Sequence, residues 1–241
     1  MLVRMGFMGR RRIQGTGVRG QGLGVGEPLP DFVLDLPYAR QSNRSMDMKH
    51  FGDSYDIVKQ SLLRWLRVSG EWSMHPMFTG NVEPNDPEKF AAFLNARIVS
   101  ADVLEGDTNR TDYFALAHSC GDLFLDPTTG LCLKARPKRK RADYLYASEL
   151  IQLTEQRPEF LTMVFDQSLA RGKERTQLMN KLQHLLQQSV PAFAYCSHAC
   201  FIVASRNRTR LDQAYEHIIR ESGLPESRFV RVVSMSRVTC A

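Results

Sequence analysis

The stretch AFAYCSHACFIVAS, residues 192–205, decides the fold. Its residues favour β-structure throughout, but one strand of this length would far exceed the usual ~5–6 residues. Two strands that meet near Ser197 and His198 fit the stretch better, and so tight a connection joins antiparallel strands. The stretch therefore predicts an antiparallel β-hairpin near the end of the chain.

Upstream of this hairpin, predicted strands alternate with predicted helices. Strands are expected at residues 71–78, 97–104, 121–127 and 160–167, with a last one at 228–234. The clearest amphipathic helix is 173–188, where Leu178, Leu182, Leu185 and Leu186 form one apolar stripe. Alternation of this kind predicts an α/β fold: a Rossmann-like, mostly parallel sheet with helices on both faces and a terminal antiparallel β-hairpin.

The chain divides into a tail and one domain. Residues 1–45 are rich in Gly and Arg, carry seven Arg against three acidic residues, and have no usable periodicity. Such a segment buries too little apolar surface to order itself, so we expect a disordered tail. Because Met46 and Met48 follow it, translation from an upstream start explains it best, with an RNA-binding arm as the alternative. Residues 46–241 are expected to form the α/β domain.

The cysteines and the apolar runs bear on location. Five cysteines, an odd number scattered along the chain, predict reduced thiols in a cytoplasmic protein rather than a disulfide framework. No run approaches the ~18 consecutive apolar residues of a transmembrane helix, so we expect no membrane partner.

The cluster Cys196-Ser197-His198-Ala199-Cys200 leaves three interpretations open. It could bind a metal together with His118 and Cys120, but the C-x-x-C spacing of structural zinc sites is missing. Ser168 could pair with His198 as nucleophile and base, although no G-x-S-x-G elbow is present. The interpretation we favour is a core hairpin that buries small thiols, so no metal site is predicted.

A dense basic segment interrupts the domain. KARPKRKR, residues 134–141, carries six basic residues and no acidic one within a chain of net charge +6. A solvated loop is one explanation, and phosphate binding is the other. The residues that could contact nucleic acid are Lys134, Arg136, Lys138, Arg139, Lys140 and Arg141.

Several short motifs occur in a shared order along residues 48–205. They are His50-Phe51-Gly52-Asp53-x-x-Asp56-x-x-Lys59, Leu123-Phe124-Leu125-Asp126-Pro127, Tyr144-Leu145-Tyr146 and Phe165-Asp166-Gln167. With the predicted hairpin, they resemble the class I S-adenosylmethionine-dependent methyltransferase fold. They are similar to the bacterial adenine-N6 methyltransferases of 23S ribosomal RNA, and closer to a related bacterial group that carries D-P-D-N-G at the same strand end.

The resemblance implies S-adenosylmethionine as cofactor and assigns candidate roles. Asp126 and Pro127 would form the catalytic motif, with Asp126 orienting the attacking amine. Asp102 would hold the ribose hydroxyls of the cofactor. Further cofactor contacts are expected from His75, Gly52, Asp53 and Lys59, although a helix cap at Asp53 and a solvated charge at Lys59 also explain those residues.

The chain departs from the family pattern at two places. The glycine-rich turn after the first strand is replaced by Ser73-Met74-His75-Pro76-Met77-Phe78-Thr79-Gly80. The catalytic motif reads Asp126-Pro127-Thr128-Thr129 and lacks the aromatic residue that would stack on a flipped adenine.

Three functions follow from these observations. The first is methylation of nucleic acid, RNA or DNA, by a methyltransferase-like protein, or binding of an adenosyl or nucleotide ligand without standard catalysis. The second is a non-catalytic nucleic-acid-binding module on the same fold. The third is a metal-dependent nuclease that uses Asp122, Asp126 and Asp166.

Overall fold

A computed structural model describes residues 50–67, 70–80 and 82–232, apart from the side chain of Arg139. These residues belong to one compact unit. The tail predicted at residues 1–45 lies outside the described residues. No helix in the described part is long and apolar enough to cross a membrane.

The secondary structure alternates along most of the chain. The helices are α1 (Ser54–Trp65), α2 (Asp86–Leu94), α3 (Arg110–Tyr113), α4 (Ala147–Gln156), α5 (Glu174–Gln187) and α6 (Arg208–Ser222). The strands are β1 (Ser73–His75), β2 (Arg97–Ile98), β3 (Leu123–Leu125), β4 (Gly130–Cys132), β5 (Tyr144–Tyr146), β6 (Thr162–Asp166), β7 (Ala192–Cys196), β8 (Cys200–Ala204) and β9 (Phe229–Arg231). Short 3-10 helices span Ala115–Ser119, Lys138–Lys140 and Glu226–Arg228.

The main sheet has seven strands in the order β2-β1-β3-β6-β8-β7-β9. Strands β1, β2, β3 and β6 are mutually parallel, and β8 is antiparallel to both of its neighbours, β6 and β7. Five of the seven strands therefore point in one direction, and the sheet is mostly parallel. Strand β9 pairs with the outer side of β7, so the β7–β8 hairpin is followed by one more strand.

Helices cover both faces of this sheet. Alternate strand residues point to opposite faces, which gives the sheet two apolar sides. One side packs against α4 and α5, whose buried leucines include Leu150 and Leu182. The other packs against α1, α2 and α6, through residues such as Leu62, Phe90 and Leu211. The α/β class with a mostly parallel, helix-flanked sheet is therefore confirmed.

Several elements differ from the sequence-based expectation. The strand predicted at 97–104 is reduced to Arg97–Ile98, because the chain turns away from the sheet after the edge pairing with β1. Strands β4 and β5 form a separate two-stranded parallel sheet at the end of β6, which hydrophobic periodicity did not predict. Each has only three residues, too few for a periodic pattern.

Candidate functional site: a buried lysine–aspartate centre and a basic loop

The start of α1 is held by its own side chains. Asp53 is the N-cap and accepts hydrogen bonds from the backbone N–H groups of Tyr55 and Asp56, at 2.8 and 3.1 Å. Gly52, with φ +80°, donates its N–H to Asp56 Oδ2 at 2.9 Å. These hydrogen bonds fix where the helix begins. The bond from Gly52 also orients the Asp56 side chain, whose other oxygen is left to face the next turn.

Lys59 lies one turn further along and is buried, with 4% of its surface exposed. Its ammonium donates to Asp56 Oδ1 at 2.9 Å and to Asp126 Oδ2 at 2.8 Å, and it lies 4.5 Å from the centroid of the Phe165 ring. Burial alone would lower the pKa of Lys59, but the carboxylates of Asp126 and Asp56 outweigh burial and raise it. Lys59 is therefore a charged internal residue and not a solvated one.

Asp126 follows β3 and is fully buried. Burial raises the pKa of Asp126 to about 6, and the adjacent Lys59 opposes that rise. The carboxylate is thus ionised at neutral pH and pairs with the lysine. Its second oxygen, Oδ1, has no hydrogen-bond partner among the described residues. We call Lys59, Asp56 and Asp126 the lysine–aspartate centre.

A second ion pair lies at the end of the neighbouring strand, on the other face of the sheet. Lys181 of α5 donates to Asp166 Oδ2 at 2.5 Å, to Ser168 Oγ at 2.6 Å and to the carbonyl of Leu131 at 2.7 Å. A Cβ at Gly130, where φ is +131°, would lie 2.8 Å from the Cα of Asp166. The ion pair and this close approach attach β4 to the end of β6.

These positions separate the residues of the proposed nuclease site. Asp122 precedes β3 and pairs with Arg210 at 2.7 Å, whereas Asp126 follows β3. Asp126 and Asp166 contact lysines from helices on opposite faces of the sheet. Within residues 50–67, 70–80 and 82–232, no cluster of His, Cys, Asp or Glu could hold a metal ion.

The end of β1, where the resemblance locates the cofactor, is filled by side chains. His75 is buried, and its ring centroid lies 4.5 Å from that of Tyr113 and 5.5 Å from that of Phe114. Met77 and Phe78 in the following turn are buried as well. A cofactor end that must approach the backbone closely does not fit these residues. Burial lowers the pKa of His75 to about 4, so its imidazole is neutral at pH 7.

Two other predicted site residues have separate environments. Asp102 is exposed, lies beyond the end of β2, and accepts a hydrogen bond from Ser100 Oγ at 2.7 Å. Pro127 is buried directly after Asp126, and Thr128 Oγ1 lies 2.9 Å from Thr79 Oγ1. Asp126, Gly52, Asp53 and Lys59 are thus brought together through Asp56. Asp102 lies on the His75 side of the sheet end instead, where its carbonyl accepts a hydrogen bond from the Tyr113 hydroxyl at 3.4 Å.

The turn of the β7–β8 hairpin contains Ser197, His198 and Ala199. Cys196 and Cys200 are opposite each other on the two strands, with sulfurs 3.9 Å apart, and both are free thiols. The His198 ring packs against the Tyr55 ring, with 5.4 Å between the ring centroids. Ser168 is hydrogen-bonded to Asp166 and Lys181, so its hydroxyl is engaged by an ion pair.

The basic segment is an exposed loop between β4 and β5. The side chains of Lys134, Arg136, Lys138, Lys140 and Arg141 are exposed, and that of Arg139 is not described. Arg136 is held in place, because its Nε donates to Cys132 Sγ at 3.2 Å and its guanidinium lies 5.3 Å from the Tyr144 ring centroid. The ion pair between Lys138 and Asp107, at 3.4 Å, is exposed on both sides. The loop therefore presents several cations to solvent.

A pocket of about 480 Å³ opens beside this loop. It lies between the loop and the helices α4 and α5, and its lining includes Leu133, Ala135, Arg141, Ser148, His184 and Gln188. Cationic, polar and apolar side chains therefore meet in one concave surface with the carboxylate of Glu149, which is paired with Arg110. Ligand pockets commonly have volumes of ~300–1,000 Å³, so the pocket is large enough for a small organic group.

Sequence reasoning missed several of these residues as site residues. Asp56 belonged to the quoted motif but was given no role, and its spacing of three from Lys59 is the signal that could have identified it. Nothing local in the sequence indicates that Lys181 reaches Asp166 or that His184 lines the pocket.

Comparisons of the chain with protein-family models, with curated proteins and with solved structures found no match in any of the three.

Proposed function

We propose that this protein binds nucleic acid through the basic loop at residues 134–141. The observation that carries the proposal is the exposure of Lys134, Arg136, Lys138, Lys140 and Arg141 next to the pocket. When clustered cations on an exposed loop bind a phosphate backbone, condensed counterions are released, and this release favours binding. A cytoplasmic location, predicted from the free thiols, is part of this proposal.

The form of the loop supports the proposal further. The contacts of Arg136 with Cys132 and Tyr144 restrain the middle of the loop, so less conformational entropy is lost on binding than in a free tail. The lysine–aspartate centre pairs one lysine with two carboxylates, so its formal charge is −1 and it attracts no phosphate. The basic loop is therefore the surface of the described domain best suited to a polyanion.

The test is a fluorescence-anisotropy titration of a labelled single-stranded RNA at several salt concentrations. The full chain is compared with the triple variant K134Q/K138Q/K140Q. The control, R64Q/K89Q/R228Q, removes three exposed charges from α1, α2 and the segment before β9. The loop variant should weaken binding. It should also lower the slope of log affinity against log salt concentration by about 2, because each of the three lost phosphate contacts contributes ~0.7 on a single strand. Equal effects of the two variants would contradict the proposal.

Methyl transfer from S-adenosylmethionine to nucleic acid is the second candidate. Two observations favour it: β8 is inserted antiparallel between β6 and β7, which resembles the class I methyltransferase fold, and Asp126 Oδ1 at the end of β3 is unpartnered among the described residues. The side chains that fill the end of β1 count against a cofactor held there in the manner of that family.

Calorimetric titration of S-adenosylmethionine and S-adenosylhomocysteine into the full chain tests this candidate. Binding that weakens in D102A, which changes an exposed residue, would support a working cofactor site. Absence of heat with both ligands, from a sample with a cooperative unfolding transition, would eliminate cofactor-dependent methylation and leave the nucleic-acid proposal intact.

A further inference from the structure

The pocket beside the basic loop has a composition that phosphate binding alone does not explain. Leu133, with 37% of its surface exposed, lines it together with Ala135 and Ile151. An exposed leucine beside a concave surface favours an apolar ligand face over a phosphate. The pocket therefore offers contacts of a different chemistry from those of the loop.

Exposed or partly exposed polar side chains line the pocket beside these apolar residues. Among the residues that the structure describes, the side chains of Ser148, His184 and Gln188 make no hydrogen bond or ion pair with another residue. A hydroxyl, an imidazole and an amide provide both donors and acceptors. A flat apolar group with donors and acceptors at its edge matches this combination, and a nucleobase is such a group.

The cations next to the pocket define what the base is attached to. Arg141 belongs both to the pocket lining and to the basic loop. A nucleotide whose base enters the pocket would therefore have its phosphates next to cationic side chains. A base inside a duplex has its faces stacked and its edge paired, so only an unpaired base can present both to a protein pocket.

We propose that the pocket binds an unpaired nucleobase, and that the protein therefore prefers single-stranded to duplex nucleic acid. This inference rests on the proposed function, because the loop supplies the phosphate contacts. RNA and DNA share the chemistry used here, and the sugar decides between them only if a 2′-hydroxyl is also contacted.

The experiment uses the full chain with labelled single-stranded RNA, single-stranded DNA of the same sequence, and the corresponding DNA duplex. The variant A135F fills the pocket without changing charge. The control A170F places the same side chain at an exposed alanine outside the pocket lining. H184L removes an imidazole from the pocket at similar volume. Because Ala135 is exposed, A135F should leave the fold intact.

The wild-type chain should bind at least one of the single strands about tenfold more tightly than the duplex, as expected for one base contact. A135F should bind that strand about tenfold more weakly than the wild type and should bind the duplex equally well. H184L should lose less affinity for the strand, and A170F should have the affinity of the wild type. Equal affinity for single strand and duplex, with A135F silent, would overturn the pocket assignment but leave loop binding standing. Absence of binding to all three probes would overturn both proposals.

Discussion

The ammonium group of Lys59 lies 2.8 Å from the carboxylate of Asp126, although 67 positions separate the two residues in the chain. This ion pair joins the first helix to the carboxyl end of a central strand. On the opposite face, Lys181 and Asp166 join α5 to the end of β6. Two internal ion pairs therefore occupy strand ends where ligands commonly bind in this kind of sheet, and the basic loop presents a separate cluster of exposed cations.

Loss of Lys59 should strongly destabilise the fold. In K59M the carboxylates of Asp56 and Asp126 stay buried without their cation, and breaking a buried pair in this way costs ~3–5 kcal/mol. The measurement is the free energy of unfolding from urea titration of the full chain. The matched control is K89M, whose partner Asp86 is 3.3 Å away in an ion pair with an exposed lysine, and which should cost less than ~1 kcal/mol. A similar small cost for both variants would mean that the centre does not stabilise the fold.

Much of the architecture was predictable because it follows from local periodicity. The apolar stripe of α5 predicted residues 173–188, and the helix spans Glu174–Gln187. Asp53 was considered as a helix cap, and it is the N-cap of α1. The charge on Lys59 was harder to interpret, because the sequence does not show that a carboxylate 67 positions later lies beside it.

The remaining features depend on tertiary contacts. Burial of His75 comes from Tyr113 and Phe114, which arrive from a short helix without a clear periodic pattern. The three acidic residues of the nuclease hypothesis looked equivalent in the sequence. Their separation follows from strand alternation and from the length of β3, which become informative only when the sheet order is known.

Gly130 should not accept a side chain. In G130A the new Cβ would contact Asp166 at a φ of +131°, so both the backbone and the ion pair of Lys181 would have to shift. The control is G172A, where φ is +76° and nothing lies within 4 Å of the added atom. Thermal or urea unfolding should give a loss of ~1–2 kcal/mol for G172A and at least ~2 kcal/mol more for G130A. Equal losses would contradict the close approach.

The stability of the protein should depend on pH through His75. Its pKa is about 4 in the folded state, below the ordinary value of 6.5, because burial disfavours the imidazolium. Between these pH values only the unfolded chain binds a proton at His75. The contribution of His75 to the free energy of unfolding is therefore fully present above pH 6.5 and is lost as pH falls towards 4. The loss reaches ~3 kcal/mol at most.

The variant H75Q isolates this contribution. Asp126, whose pKa is raised, acts in the opposite direction over the acidic range, but it is present in both proteins and cancels in the difference. The free-energy difference between wild type and H75Q should shrink as pH falls from 7 to 4.5. A difference that is constant with pH would show that His75 is accessible to protons in the folded state.

Changes in the basic loop should separate binding from folding. Because Lys134, Lys138 and Lys140 are exposed, the free energy of unfolding of K134Q/K138Q/K140Q in urea should lie within ~0.5 kcal/mol of the wild-type value. A larger loss of stability would mean that the loop lysines are structural, and any change in nucleic-acid affinity would then have to be attributed to altered folding.

Ultraviolet crosslinking of bound single-stranded RNA, followed by identification of the crosslinked peptides, tests the central claim most directly. The account predicts crosslinks within residues 133–148 and near His184, where the basic loop and the pocket meet. Crosslinks confined to the surfaces of α1, α2 or α6 on the opposite face of the sheet would contradict it, and so would a failure to obtain any crosslinked peptide.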